Sequence, residues 1–274
     1  MEPFHAMSFE KPLVFGCVLR SARAGTARIV ADVAQEVGID IEMEEASSYE
    51  DLAQAVQIGD VDLAWLPPIA FIALDRQKLV SPLVSSARGG GLAFESVIIV
   101  NKKSRYLRLR ELVGARAAWV DPYSASGYVF PRVELAAAGV DLSAFASETF
   151  YASHADVVRA VAMGHADFGA TFATLGPKGE VVRSAWKDSR EASQSIRVLA
   201  SLGSLPADLI AARYTVPAAL QTRLTRAFIA VSREPANRLL LLEAFGADEL
   251  KAAKPRGYDV LRAETERAAA TGLL

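Results

Sequence analysis

AQAVQIGDVDLAWL, residues 53 to 66, and VRAVAMGHADFGAT, residues 158 to 171, follow one plan: a helical stretch ending in glycine, an acidic residue, then a short apolar strand. Glycine is the usual stop after a helix because it takes a left-handed backbone without a Cβ penalty. The likeness is too faint for a solenoid repeat, but it points to one β-α-β arrangement built twice. Before the first copy, LVFGCVLR (13–20) reads as a strand. SARAGTARIVADVAQEVG (21–38) reads as a helix, with Ile29, Val30, Val33, Ala34 and Val37 at helical spacing, and IDIEMEEA (39–46) as a half-buried strand. SSYEDLAQAVQIGD (47–60) opens a helix with Ser48 and Asp51 at capping-box spacing, Asp standing where Glu or Gln is usual. VDLAWLPP (61–68) is a third strand, and IAFIALDRQKL (69–79) a helix behind its double proline.

The second copy sits in the same setting. LRELVGARAAWVDP (109–122) reads as helix and strand, SGYVFPRVELAAAGVD (126–141) as helix, ETFYASH (148–154) as strand, ADVVRAVAMGHAD (155–167) as helix and FGATFATLG (168–176) as strand. Between the copies, VSSARGGGLAFESVIIVNKKS (84–104) holds a glycine triplet, a strand of branched residues and a polar exit at Asn101 to Ser104. The end of the chain, from PAALQTRLTRAFIAVS (217–232) through NRLLLLEAFGADELK (237–251), is almost all helical in pattern. Strands alternating with helices predict an α/β fold with parallel sheets. We expect two lobes, each a mostly parallel sheet flanked by helices. Lobe 1 comprises 12–98 and 206–274, with the C-terminal helices packing on it. Lobe 2 comprises 99–205 and is inserted. Ligands of open parallel sheets lie beyond the strand carboxyl ends, which places a site in the cleft between the lobes.

Composition narrows the function classes. With 274 residues, 51% of them apolar, the chain can bury a large core, and its net charge of −2 supplies no basic field for nucleic acid. The single cysteine, Cys17, lies in an apolar run, reads as core, and precludes an internal disulfide. Trp65 and Trp119, in apolar strands, read as core, and Trp186, in RSAWKDSR, as a surface ring on lobe 2. MEPFHAMSFEKPLVFG (1–16) has no basic region followed by a long apolar one, and nowhere do eighteen apolar residues run together. As it stands the sequence reads as cytoplasmic, and as periplasmic or lipid-anchored if a leader has been removed.

DPYSASGYVFP (121–131) is the stretch with the clearest chemistry. A strand ends at Asp121-Pro122 and a helix starts around Ser124 to Gly127. Its first turn offers unpaired amides, the positive end of the helix dipole and two hydroxyls with little bulk in the way, which is a seat for an oxyanion. The plainer reading is that Ser124 or Ser126 caps the helix. Ser153 and His154 likewise follow a strand and open a helix, where an imidazole can donate to an anion or simply form part of a capping segment. His165, in the helix-ending MGHAD, reads as solvated, and His5 falls in the leader.

GDVDLAWLPPIAF, VDPYSASGYVFPRVELAAAGVD and SHADVVRAVAMGHADFGAT, in that order, resemble the phosphate, phosphite and phosphonate substrate-binding proteins of ABC transporters over about Val14 to Arg213. The resemblance implies the type II periplasmic-binding-protein fold and a clamp that closes on a small oxyanion without chemistry. The family's Ser-Thr-Ser-Gly is matched by Ser124, Ala125, Ser126 and Gly127, its Ser-His pair by Ser153 and His154, and a cleft-facing tyrosine by Tyr49, which also suits helix-start packing. Three positions depart from it. Ala125 lacks a hydroxyl, Phe94 stands where a tyrosine is common, and Pro67, ahead of Pro68 in WLPPIAF, replaces a glycine and withholds an N–H. A tetrahedral anion would forgo two hydrogen bonds, each worth roughly 1.5–3 kcal/mol to a charged acceptor. The expected partners are the oxyanion and either an ABC-transporter permease or a sensor or regulatory partner, with no nucleic acid, membrane insertion, metal or cofactor. Two alternatives stay open. One is a cytoplasmic enzyme of this fold acting on a small anionic metabolite, with His154 and Asp121 or Glu95 as its candidates, although Asp121 before proline also suits turn ordering. The other is a relative that has lost its ligand and binds a regulatory partner.

Overall fold

Among the described residues, strands of four to nine residues pair into two six-stranded sheets, one in each of two compact units. The computed structural model describes residues 11–18, 23–87, 94–176, 178–187, 189–270 and 272. In chain order, the first unit contributes β1 (Leu13–Cys17), α1 (Arg23–Val37), β2 (Ile41–Glu45), α2 (Tyr49–Ile58), β3 (Leu63–Leu66), α3 (Pro68–Arg76) and β4 (Val80–Ala87). The second unit follows with β5 (Phe94–Asn101), β6 (Arg116–Trp119), α4 (Phe130–Ala137), β7 (Ser147–Phe150), α5 (His154–Ala162), β8 (Phe168–Leu175), β9 (Val181–Ser184), α6 (Arg190–Ser195) and β10 (Ile196–Ser204). The chain then returns to the first unit for β11 (Leu209–Arg213), α7 (Ala218–Arg233), α8 (Arg238–Phe245) and β12 (Glu249–Ala252), and ends with α9 (Asp259–Ala270).

The units divide at 90/91, 206/207 and 255/256, which corrects the expected lobes twice. All of β5 belongs to the second unit, because it pairs along its length with β8 and β10. Residues 256–274 also leave the first unit: α7 and α8 pack there against α1, but α9 packs on α4 and buries Leu261 and Ala268. Glu134 of α4 is raised above its ordinary value by burial and by Glu264 of α9. The glycine triplet lies outside the described residues.

Both sheets are mixed rather than mostly parallel. The first runs β12-β4-β11-β3-β1-β2 and the second β10-β5-β8-β6-β7, with β9 on β8. Only β1 with β2 and β3, and β6 with β7 and β8, are parallel. Those are the strands joined through helices, as parallel neighbours require. The long strands flanking the unit boundaries pair antiparallel. Val97, Ile98, Ile99 and Val100 of β5 are all fully buried, because helices cover both faces of the second sheet.

The paired motifs hold the same joints. Asp62 N–H donates to Val14 O (2.9 Å) while its Oδ2 accepts from Val14 N–H (3.0 Å). Asp167 does the same with Arg116, at 2.9 and 2.8 Å. Each aspartate thus satisfies both backbone groups of a residue at the start of the neighbouring parallel strand. Asp167 also accepts from the Arg116 guanidinium, whose hydrogen bonds hold the carboxyl below the ordinary aspartate value. Gly59 and Gly164, at φ 97° and 76°, end the preceding helices.

Cys17 is fully buried, and burial, with Glu45 second, pushes its thiol up to about 12. Trp65 and Trp119 are core as expected, and Trp119 Nε1–H donates to Glu148 Oε2 at 2.8 Å. Trp186 is a correction: it is 5% exposed and packs with Val97, Ile196 and Ala192. Its polar neighbours in sequence concealed an apolar pocket between β10 and α6. No helix among the described residues is long and apolar enough to cross a membrane.

Candidate functional site

The helix start that follows β6 is shaped by two residues with missing groups. Gly127 passes so close to Val120 that a Cβ there would sit 2.3 Å from Val120 Cγ2, and Gly127 O accepts from Val120 N–H at 3.1 Å. In a regular helix that carbonyl would serve residue 131, but Pro131 has no N–H to give. The strand end and the helix start are thereby locked together. The first turn is π-helical over Ala125–Val129, with Val129 N–H donating to Ser124 O at 3.0 Å. Such widened turns are rare and cluster at functional sites.

Donor accounting corrects the expectation of four bare amides. Ser124 N–H donates to Asp121 O (3.0 Å), and Gly127 N–H to Ser124 Oγ (3.1 Å), so Ser124 is indeed the cap. The amides of Ala125 and Ser126 have no acceptor among the described residues, and neither has the Ser126 hydroxyl. Ser126 is 4% exposed, and its carbonyl accepts from the buried Ser96 hydroxyl at 2.9 Å. Asp121 orders the turn by accepting from Tyr123 N–H at 2.7 Å.

The second helix start lies at the same carboxyl edge. Tyr151 and Ala152 donate to Trp119 O and Val120 O, both at 2.8 Å, and Ala152 turns the chain in a left-handed conformation at φ 65°. Ser153 caps α5: its Oγ accepts from Asp156 N–H (3.1 Å) and donates to Asp156 Oδ2 (2.5 Å). Its hydroxyl proton therefore goes to Asp156. His154, half-buried, places Nδ1 2.9 Å from Thr171 Oγ1 and meets the Phe172 ring edge-on at 5.0 Å. Phe172 is the cross-strand partner of Ser96, so the two helix starts are tied through β5 and β8.

In the first unit, Ser48 caps α2 by accepting from Asp51 N–H (3.0 Å), and Tyr49 follows as the first helical residue, half-buried. Pro67 and Pro68, both buried, begin α3 at the end of β3, with Pro67 as N-cap. All three lie at the carboxyl edge of the first sheet. Phe94 opens β5 opposite Thr174, and its side chain lies outside the described residues, as does His5. Glu95 accepts from the Ser201 hydroxyl, and His165 is exposed at the end of α5. Among the described residues no cluster of His, Cys, Asp and Glu is placed to hold a metal. The reading of the sequence missed Thr171, Phe172 and Ser96. Their signal was faint: hydroxyls and one ring within the apolar runs FESVIIV and FGATFATL.

Residues 20–258 match the family described as ABC transporter, phosphonate, periplasmic substrate-binding protein. The phosphate-import protein PhnD of Mycolicibacterium smegmatis (strain ATCC 700084 / mc(2)155) is 28% identical over 155 residues, which is 53% of this chain and 48% of that protein, so the match spans about half the length of this relative. Among solved structures, PhnD1 of Prochlorococcus marinus (MIT 9301) in complex with methylphosphonate superposes with a TM-score of 0.76 at 17% identity, covering 94% of this chain and 98% of that one. XAC2383 of Xanthomonas citri bound to ATP gives 0.76 at 21%, with coverage of 94% and 98%. The fold is that of the periplasmic binding proteins.

Proposed function

Because the chain belongs to the phosphonate periplasmic substrate-binding protein family of ABC transporters, we propose that it binds a small phosphate-, phosphite- or phosphonate-like oxyanion and releases it unchanged. The observation that carries this reading is the pair of unclaimed amides, Ala125 and Ser126, at a helix start where the dipole favours negative charge. His154 supplies a further donor from the neighbouring helix start, and Ser126 a hydroxyl. In the first unit, Tyr49 at the start of α2, and Pro67 and Pro68 at the start of α3, are the residues this reading assigns to the ligand.

The same reading makes an ABC-transporter permease the partner, with a sensor protein as the alternative. It also favours the periplasm, the family's compartment, over the cytoplasm. The family's role is solute binding, and the reading involves no chemical step on the ligand.

Thermal unfolding with and without phosphate, phosphite, methylphosphonate and sulfate tests the proposal, because a ligand bound only by the folded state raises the midpoint. At a hundredfold excess over Kd the stabilisation is about 2.7 kcal/mol. A midpoint that none of the four anions moves would refute the reading.

A further inference from the structure

Thr171 is an odd residue for its place. It lies within the apolar run FGATFATL, is 0% exposed, and pairs through its backbone with Val97 of β5. A hydroxyl can donate one hydrogen bond and accept two. The only partner of this one among the described residues is His154 Nδ1, at 2.9 Å.

That fixes the direction of the bond. If Nδ1 carried a proton it would donate to Oγ1, and the hydroxyl's own proton would be buried with no acceptor, an arrangement native structures avoid. With Nδ1 as acceptor, the hydroxyl proton has its partner and the ring proton sits on Nε2. Phe172, edge-on to the imidazole at 84° between planes, restrains the ring's rotation.

We infer that Thr171 is a positioning residue that donates to His154 Nδ1 and holds the imidazole in the Nε2–H tautomer, so that its Nε2 edge is an N–H donor. The use of that donor rests on the anion-binding reading, whereas the tautomer does not. On this assignment the negative charge of the ligand is met by the helix-start amides, and His154 adds direction.

The test is NMR of the full chain with 15N-labelled histidine, carrying His5→Gln and His165→Gln so that only His154 reports, with no anion added. The expected spectrum shows a proton-free Nδ1 accepting a hydrogen bond and a proton-bearing Nε2. Thr171→Val should shift the Nδ1 resonance to that of a nitrogen accepting nothing, and raise the Kd for inorganic phosphate or methylphosphonate about fivefold. Thr171→Ser should restore both. A proton on Nδ1, or an Nδ1 resonance that Thr171→Val leaves in place, overturns the inference. If the tautomer is as stated but neither anion binds, the inference stands and the anion-binding reading falls.

Discussion

Residues 48–68 of the first unit and 153–173 of the second are the same construction at an offset of 105 residues, and they differ where chemistry is at stake. Ser48/Ser153, Asp51/Asp156, Ala55/Ala160, Val56/Val161, Gly59/Gly164 and Asp62/Asp167 are identical. All but the alanine and valine pairs are joints: the serine caps the helix, the aspartate three residues on supplies the capped amide, the glycine ends the helix, and the last aspartate bridges to the neighbouring strand. The first helical residue, by contrast, is Tyr49 in one unit and His154 in the other. Leu66 and Pro67 stand where Thr171 and Phe172 stand. One scaffold therefore carries two kinds of side chain at its helix start, and in the second unit the adjoining strand places the Thr171 hydroxyl against His154.

That contrast can be broken most severely at Gly127, in the helix start that completes the second unit's edge. Gly127→Ala puts a methyl into Val120 and should cost about 1–3 kcal/mol while abolishing the anion response, read by calorimetry and titration. His154→Ala, which removes a whole ring, should weaken oxyanion binding by more than Tyr49→Phe, which removes only a hydroxyl, each donor to a charged acceptor being worth roughly 1.5–3 kcal/mol. Equal effects would mean that the two helix starts are functionally as well as structurally equivalent.

Asp167→Asn should lower stability by about 1 kcal/mol near neutral pH, its partial exposure keeping the loss small. The sign of its pH dependence follows from the lowered carboxyl. Its contribution is complete above the ordinary value of 3.8 and is lost as pH falls through the lower folded value. The gap between wild type and variant in denaturant titrations should therefore close in acid. The smallest effects belong to the caps. Ser48→Ala and Ser153→Ala should each cost about 1 kcal/mol, and Ser153→Ala should leave anion affinity within a factor of about two, because its proton already goes to Asp156. A larger loss of affinity would place Ser153 in the binding set.

Most of this plan was legible in the residues, for local reasons. Capping serines, terminal glycines and apolar periodicity act over a few positions, so both motif copies and both helix starts could be read directly. The resemblance stretching from Val14 to Arg213 agreed with the family match over 20–258. What escaped depended on contacts distant in sequence. The antiparallel pairing of β4, β5, β10 and β11 and the docking of α9 on α4 are set by which surfaces meet, and the burial of Trp186 by a pocket that its own neighbours do not announce. Thr171 was hidden for the same reason: its partner is 17 residues away across a helix.

The central claim concerns two amides. Backbone NMR of the labelled chain titrated with methylphosphonate or phosphate should show the Ala125 and Ser126 amide resonances shifting and saturating together, with His154 Nε2–H following the same curve. Saturable binding that leaves both amides unmoved would contradict the account.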